Sequence, residues 1–148
     1  MAVTAKWYGQ GPKNICNGNV IWKASGGSTI KVALLTSSYS PNQDTHDAFD
    51  DVSANQVEGT GYTAGGAALT LVDPAYDAGS NETRLDANNV SWSDSTITAR
   101  YAVIYKDSGT ASTSYLLGYV DFGEDKVSSA GTFAITWAAD GVLKITAL

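Results

Sequence analysis

The feature that most constrains this chain is an alternation of apolar and polar residues with a period of two. In residues 132–137 every second side chain is large and apolar, namely Phe133, Ile135 and Trp137. Residues 29–36 repeat the pattern with aliphatic side chains. A β-strand places alternate residues on the same face, whereas a helix does not. The alternation therefore predicts strands, each with one face toward a core.

Residues 96–105 carry apolar side chains on both faces. The predicted first face holds Ile97, Ala99, Tyr101, Val103 and Tyr105. The opposite face adds Ala102 and Ile104. A strand that is apolar on both sides is typical of the middle of a sheet with both faces covered. We predict a central strand that is buried on both sides over its second half.

Two short polar stretches are predicted to be hairpin turns. Residues 93–95 separate a strand at 88–92 from the strand at 96–105. Residues 138–141 end in Asp-Gly, a strong hairpin signal, and precede a return strand in residues 142–148.

The whole pattern predicts an all-β fold of about eight or nine strands. Further strands are predicted at the remaining segments of this kind, residues 3–8, 14–22, 67–72 and 115–122. Turn signals about every ten residues favour an antiparallel β-sandwich or a jelly-roll-like barrel. No linker or repeat interrupts residues 1–148, so we predict a single domain. The one predicted helix lies at residues 44–52, as about two turns of helix or a 3₁₀ stretch, with Asp44 as its cap.

Charge and composition exclude several function classes. Only 16% of the residues are charged, and the net charge is −6. Because a surface that follows phosphates must be basic, we expect no direct nucleic-acid partner. No apolar run is long enough to span a bilayer and the first residues lack the apolar core of a signal peptide. We expect a soluble protein made in a cytoplasm, with no membrane partner.

The residues that could support catalysis do not form a recognisable set. Cys16 is the only cysteine and His46 the only histidine, so no intrachain disulfide can form and a zinc site lacks ligands. Cys16 is interpreted as a small, buried apolar side chain, although folding could bring it to His46. We predict no enzyme activity and no cofactor.

Three polar clusters have an alternative functional interpretation. The aspartates 44, 47, 50 and 51 could hold a structural cation, but their spacing is not that of a calcium loop, and a solvated acidic face is favoured. Glu124 and Asp125 are adjacent and do not make the facing carboxylate pair of a glycosidase. The glycines of residues 59–66 are interpreted as tight turns with positive φ, because no Gly-Lys-Ser/Thr follows them. We predict no metal site.

Aromatic residues cluster near the N-terminus at Trp7, Tyr8 and Trp22. Trp22 and Trp137 are predicted to be core residues, while aromatic rings left outside the core would mark a contact surface. Trp7, Tyr8 and Trp22 are therefore the candidate interface residues.

Several stretches, taken together and in order, resemble a family of small virion proteins of tailed bacteriophages. They are residues 30–46, 59–66, 97–109, 117–123 and 131–137. The resemblance covers most of the chain from Trp22 onward. It implies a structural part of the particle, and we expect a capsid decoration (cement) protein, located on the capsid surface after synthesis in the cytoplasm of the host bacterium. The family has no catalytic residues to carry over.

The resemblance also implies partners. We expect the major capsid protein, and further copies of this chain in a cyclic homo-oligomer, a homotrimer by preference. Residues 1–19, whose pattern is looser, would suit an extended N-terminal arm that adds a strand to a neighbour. A tail, neck or head-fibre component is the first alternative. A carbohydrate-binding module for adsorption to the host surface is the second, and it requires exposed aromatic rings.

Overall fold

The protein is described here from a computed structural model, which covers residues 2–148. Two antiparallel sheets make up most of it, as the alternation predicts. The strands are β1 (Ala2–Val3), β2 (Lys6–Trp7), β3 (Ile30–Leu35), β4 (Ala67–Ala68), β5 (Leu71–Asp77), β6 (Glu82–Ala87), β7 (Val90–Lys106), β8 (Leu116–Trp137) and β9 (Leu143–Thr146). The helix α1 spans Gln10–Cys16, and single 3₁₀ turns lie at Phe49–Asp51, Ser53–Asn55 and Ala111–Thr113.

The larger sheet is built around the long hairpin of β7 and β8. Its strand order is β1-β8-β7-β3-β4, with β2 also paired to β8. The pairing of β1 with β8 is parallel, and the other pairs are antiparallel. The second sheet has the order β5-β6-β9.

The main core fills the space between the two sheets. The large sheet contributes alternate residues of β3 and β7, and the small sheet contributes Leu85 and Leu143. Trp22 and Trp137 are both buried there, at 5% exposure each, which confirms their prediction as core residues. Their indole N–H groups donate to the backbone carbonyls of Asp86 and Asn88, so that burial leaves no polar atom of the rings without a partner.

A second, smaller core lies on the opposite face of the large sheet. Its buried members are Tyr8, Ala33, Leu35, Tyr39, Phe49, Val52, Val103, Tyr105 and Leu116. Residues 36–58, which we call the covering segment, close over this face, and Phe49 stacks on Tyr105 with ring centroids 4.1 Å apart. Residues 102–105 of β7 are thus buried on both sides, as predicted.

The prediction of a turn at residues 93–95 is wrong. The chain continues as strand through these residues, and a β-bulge with Asp94 at φ 48° takes up the polar stretch. A second irregularity pairs Ala99 with Lys126 but Tyr101 with Asp121. Because the register shifts there, Ala99 lies in the main core and Tyr101 packs against the second core, so the single face predicted for them is also wrong.

Residues 138–141 form the predicted turn but not the predicted hairpin. The amide of Gly141 donates to the carbonyl of Ala138, and Gly141 has φ 98°. The strand that follows, β9, pairs with β6 instead of β8. The turn therefore carries the chain from one sheet to the other.

Helical structure lies mainly outside the predicted segment. Residues 44–52 hold only the 3₁₀ turn at Phe49–Asp51, and the side chain that accepts the first amides of this region is Asn42, not Asp44. The α-helix α1 begins between the strands predicted at residues 3–8 and 14–22 and overlaps the second, and residues 14–22 form no strand. Its Gly11 lies directly on β8, since an added Cβ there would come within 2.7 Å of the Leu117 carbonyl.

Residues 2–19 do not extend from the body as an arm. β1 pairs with the far end of β8, β2 pairs with Tyr119 and Gly118, and α1 packs between them. The other sheet has β5 and β9 as its edge strands, and in β5 Pro74 lies at an interruption of the ladder between Val72 and Ala75.

Candidate docking surface on the large sheet

The β7–β8 hairpin divides into two halves that differ in what covers them. We call residues 100–106 and 116–121 the proximal ribbon, and residues 90–99 and 126–137 the distal ribbon. Both faces of the proximal ribbon are covered, one by the main core and the other by the second core. The distal ribbon buries only its inner face, so its outer face is bare in the described chain.

The outer face of the distal ribbon consists of short, uncharged side chains. They are Ser91, Ser93, Thr96, Thr98, Val127, Thr132, Ala134 and Thr136, and all are exposed. Val127 is the most apolar of them and is 67% exposed. Protein interfaces are depleted of charge at their centre, and short side chains lose little conformational entropy on burial. These properties make the outer face a candidate docking surface.

Buried hydroxyl groups hold the inner face of the distal ribbon in register. The Oγ atoms of Ser95 and Ser128 lie 2.7 Å apart. Ser95 donates to the carbonyl of Gly131, and Ser128 accepts the amide of Ile97 at 3.2 Å. Because each hydroxyl satisfies a backbone group next to a bulge, the irregular ladder remains fully hydrogen-bonded at this point.

A trough of about 460 Å³ lies where the bare outer face meets the covering segment. Its lining consists of Thr36, Ser37, Glu58, Gly59, Thr60, Thr96, Thr98 and Asp125. The two walls differ in origin, since Asp125 comes from β8 and Glu58 from the end of the covering segment.

Glycine makes the trough possible by letting the loop lie directly on β7. A Cβ added to Gly59 would stand 2.2 Å from the carbonyl oxygen of Thr96. The amide of Thr96 donates to the carbonyl of Thr60 at 2.9 Å, which continues the sheet where β3 has ended. Tyr62 anchors the same loop, because its hydroxyl accepts the amide of Leu34 and donates to Gln56. The predicted positive-φ turns are confirmed at Gly61, Gly65 and Gly66.

The charges around the trough are predominantly negative. Arg100 is engaged by Asp121 at 2.8 Å, and this contact with the guanidinium lowers the pKa of Asp121. Lys126 is engaged by Glu124 at 2.6 Å. Within residues 2–148, neither Glu58 nor Asp125 takes part in a salt bridge or side-chain hydrogen bond, although both line the trough.

Of the three residues predicted to form an interface, two are buried and the third is partly buried. Tyr8 has no exposed surface and Trp22 has 5%. Trp7 is half-buried against the main core, and its indole N–H donates to the carbonyl of Lys144 at 2.7 Å. Their clustering in sequence reflects packing of the N-terminal segment, so the outer face replaces them as the candidate surface.

His46 and Cys16 occupy separate environments. His46 lies beside Tyr39, whose hydroxyl is 2.9 Å from its Nδ1, and the hydroxyl of Tyr39 is 2.6 Å from that of buried Tyr8. Burial raises the pKa of Tyr39 to about 12 and that of Tyr8 further still. Cys16 is exposed at the end of α1, so the prediction that it is buried is wrong. This hydrogen-bonded chain is an element of the second core, and both tyrosines stay protonated at neutral pH.

The acidic clusters have local structural roles. Asp51 accepts the amides of Asp47 and Ala48, which closes the 3₁₀ turn. Glu124 pairs with Lys126 across a bulge in which Gly123 has φ 81°. Among residues 2–148 no three His, Cys, Asp or Glu side chains converge on a common point.

The tryptophans do not provide a sugar-binding platform. Trp22, Trp92 and Trp137 are each exposed by 6% or less, and Trp7 is half-buried. The exposed aromatic ring is that of Tyr76, at 59%.

In the part of the chain that the structure describes, no helix has the length and apolar character needed to cross a membrane.

The outer face could be anticipated only from the polar half of the alternation. In residues 132–136 the residues between the apolar ones are Thr, Ala and Thr, and they carry no charge.

Comparison with family models, curated proteins and solved structures finds no match to this chain.

Proposed function

We propose that this protein is a structural component of a tailed-bacteriophage particle, and specifically a decoration (cement) protein that binds the outer surface of the major capsid shell. The observation that supports this best is the bare outer face of the distal ribbon. It joins a rigid β body to a broad uncharged surface, as a part that stabilises an assembly by contact requires. The resemblance of residues 30–46 and 97–109 to phage virion proteins supports the same proposal.

We further propose that the body is a β-sandwich and not a jelly roll. Strands that follow each other in sequence, β5 with β6 and β7 with β8, are hydrogen-bonded neighbours. A jelly roll contains two Greek keys, in each of which three consecutive strands are neighbours and the fourth returns beside the first, and neither sheet order here has that arrangement. The proposed cyclic homotrimer then presents three outer faces toward the shell, and binding through three sites at once would strengthen a weak individual contact.

The carbohydrate-binding alternative is not retained. A sugar platform needs several exposed rings side by side, whereas the tryptophans are buried or half-buried and Tyr76 stands alone as an exposed ring.

Cryo-electron microscopy of the phage particle whose genome encodes this chain tests the proposal. Density that fits this fold on the outside of the shell, with the outer face toward the capsid subunits, is the expected result. Density at the neck, tail or a head fibre would replace the cement role with the other structural role. Absence of the chain from purified particles would overturn the proposal altogether.

A binding experiment locates the surface. Particles assembled without this chain are mixed with purified protein carrying Thr132→Lys on the outer face, or Thr146→Lys on exposed β9 as the matched control. Both variants gain the same charge and length on an exposed strand. We expect the first variant to lose particle binding and the second to keep it, and equal binding by both would contradict this choice of surface.

A further inference from the structure

We propose that the trough beside the outer face receives an arginine side chain of the protein on which this chain docks. The inference deepens the proposed function and rests on it. It commits to one occupant because the chemistry of the trough is one-sided: its side chains offer carboxylate and hydroxyl oxygens and no cation.

The carboxylates supply the charge complementarity. Glu58 and Asp125 both line the trough, both are exposed, and neither has a salt-bridge or side-chain hydrogen-bond partner in residues 2–148. The nearest cationic groups, Arg100 and Lys126, are already held by Asp121 and Glu124. A guanidinium that entered the trough would therefore meet two carboxylates that form no salt bridge in the described chain, one of which, Asp125, also lies within electrostatic range of Arg100.

The hydroxyl groups match the remaining donors of a guanidinium. Arginine presents five N–H donors in a planar fork and accepts no hydrogen bond, whereas a lysine ammonium has three donors. Thr36, Ser37, Thr60, Thr96 and Thr98 surround the carboxylates with oxygen acceptors. Carboxylate contacts to arginine are often bidentate, which fixes orientation as well as strength. The set of oxygen acceptors in the trough therefore fits arginine better than lysine.

The position of the trough explains why such an anchor would be useful. The outer face is uncharged, so it gives contact area but little to fix the direction of docking. The trough lies at one end of that face, against the covering segment, and its walls are held by Gly59 and by the Thr96–Thr60 hydrogen bond. An arginine seated there would set the register of the whole face on its partner.

The first test uses a defined probe and the purified full chain. Ethylguanidinium chloride is titrated into ¹⁵N-labelled protein, with sodium chloride at the same ionic strength as the reference. We expect amide shifts confined to residues 36–37, 58–60, 96–98 and 125. These shifts should disappear in the double variant E58Q/D125N and persist in D44N/D50N, which removes two exposed carboxylates outside the trough. Shifts that are equal in the two variants, or that sodium chloride reproduces, would overturn the inference.

The second test uses particles assembled without this chain. E58Q/D125N should weaken particle binding by about tenfold or more, the loss expected for a charge-assisted contact at an interface, while D44N/D50N should change it by less than about twofold. Binding that E58Q/D125N leaves unchanged would overturn the arginine site and leave the cement role standing. Failure of the unaltered chain to bind particles would instead reject the proposed function, whatever the probe titration shows.

Discussion

The proximal and distal halves of the β7–β8 ribbon are one continuous hairpin with two different surroundings. In the proximal half both faces meet a core, and residues 102–105 are almost completely buried. In the distal half the inner face is equally buried, but the outer face carries only short exposed side chains. The comparison teaches that the same pair of strands anchors the fold at one end and leaves a surface free at the other.

The largest effect should come from alkaline pH, which should lower the stability of the protein through the proximal half. Burial raises the pKa of Tyr39 to about 12 from an ordinary value of 10.0, and it raises the pKa of Tyr105 as well. Because the folded state favours the protonated phenols, their contribution is complete below pH 10 and is lost as the pH rises from 10 through 12. Urea unfolding monitored across this range should show a steadily falling midpoint. A midpoint that stays constant to pH 12 would show that these rings are not buried as described.

Truncation of aliphatic side chains should separate the two halves sharply. Leu35→Ala removes a fully buried side chain from the second core and should lower the free energy of unfolding by about 2–5 kcal/mol. Val127→Ala on the outer face should change it by less than about 0.5 kcal/mol, since that side chain is 67% exposed. Chemical denaturation of both variants measures the difference, and similar losses would remove the distinction between the halves.

Substitutions on the inner face of the distal ribbon should lower the stability of the protein, although substitutions on its outer face should not. Ser128→Ala leaves the buried amide of Ile97 without its acceptor and should cost about 1–3 kcal/mol. Its neighbour Ser129 is exposed, and Ser129→Ala should be close to neutral. Equal stability of the two variants would mean that the serine pair does not hold the bulged ladder.

The smallest effect, of about 1 kcal/mol, should come from the tyrosine pair of the second core. Tyr39→Phe leaves the buried hydroxyl of Tyr8 with no partner, whereas Tyr8→Phe leaves Tyr39 its contact with His46. Tyr39→Phe should therefore be the more destabilising of the two, and the double variant should recover part of the loss. Thermal unfolding of the three variants tests the asymmetry, and the reverse order would contradict the hydrogen-bonded chain.

The sequence pattern predicts the strands well and their partners poorly. Alternation in residues 132–137 and the two apolar faces of residues 102–105 follow directly from burial, which is a local property of a strand. The change of face between Ala99 and Tyr101 does not follow from the local pattern. It results from a register shift, which depends on how many residues β8 inserts opposite them. Likewise Asp140-Gly141 indicates a turn but not which sheet the next strand joins.

The N-terminal region shows where tertiary packing overrides pattern. Ile15 is the one large apolar residue in α1, so no helical periodicity could reveal the helix. Pro12 is tolerated because the first-turn amides of a helix need no intrahelical acceptor. In the sequence, the aromatic cluster with Tyr8 and Trp22 could belong either to a core or to an interface. The structure assigns both residues to cores, because Tyr8 contacts the covering segment and Trp22 contacts β6.

The edge strand β5 has a consequence for the behaviour of the protein at high concentration. An open strand edge is a template on which a second chain can add, and repeated addition produces fibres. Pro74 has no amide hydrogen to donate, and the interruption between Val72 and Ala75 bends the ladder at the same place. At high concentration the protein should therefore resist polymerisation through this edge, whereas Pro74→Val should make such polymerisation easier.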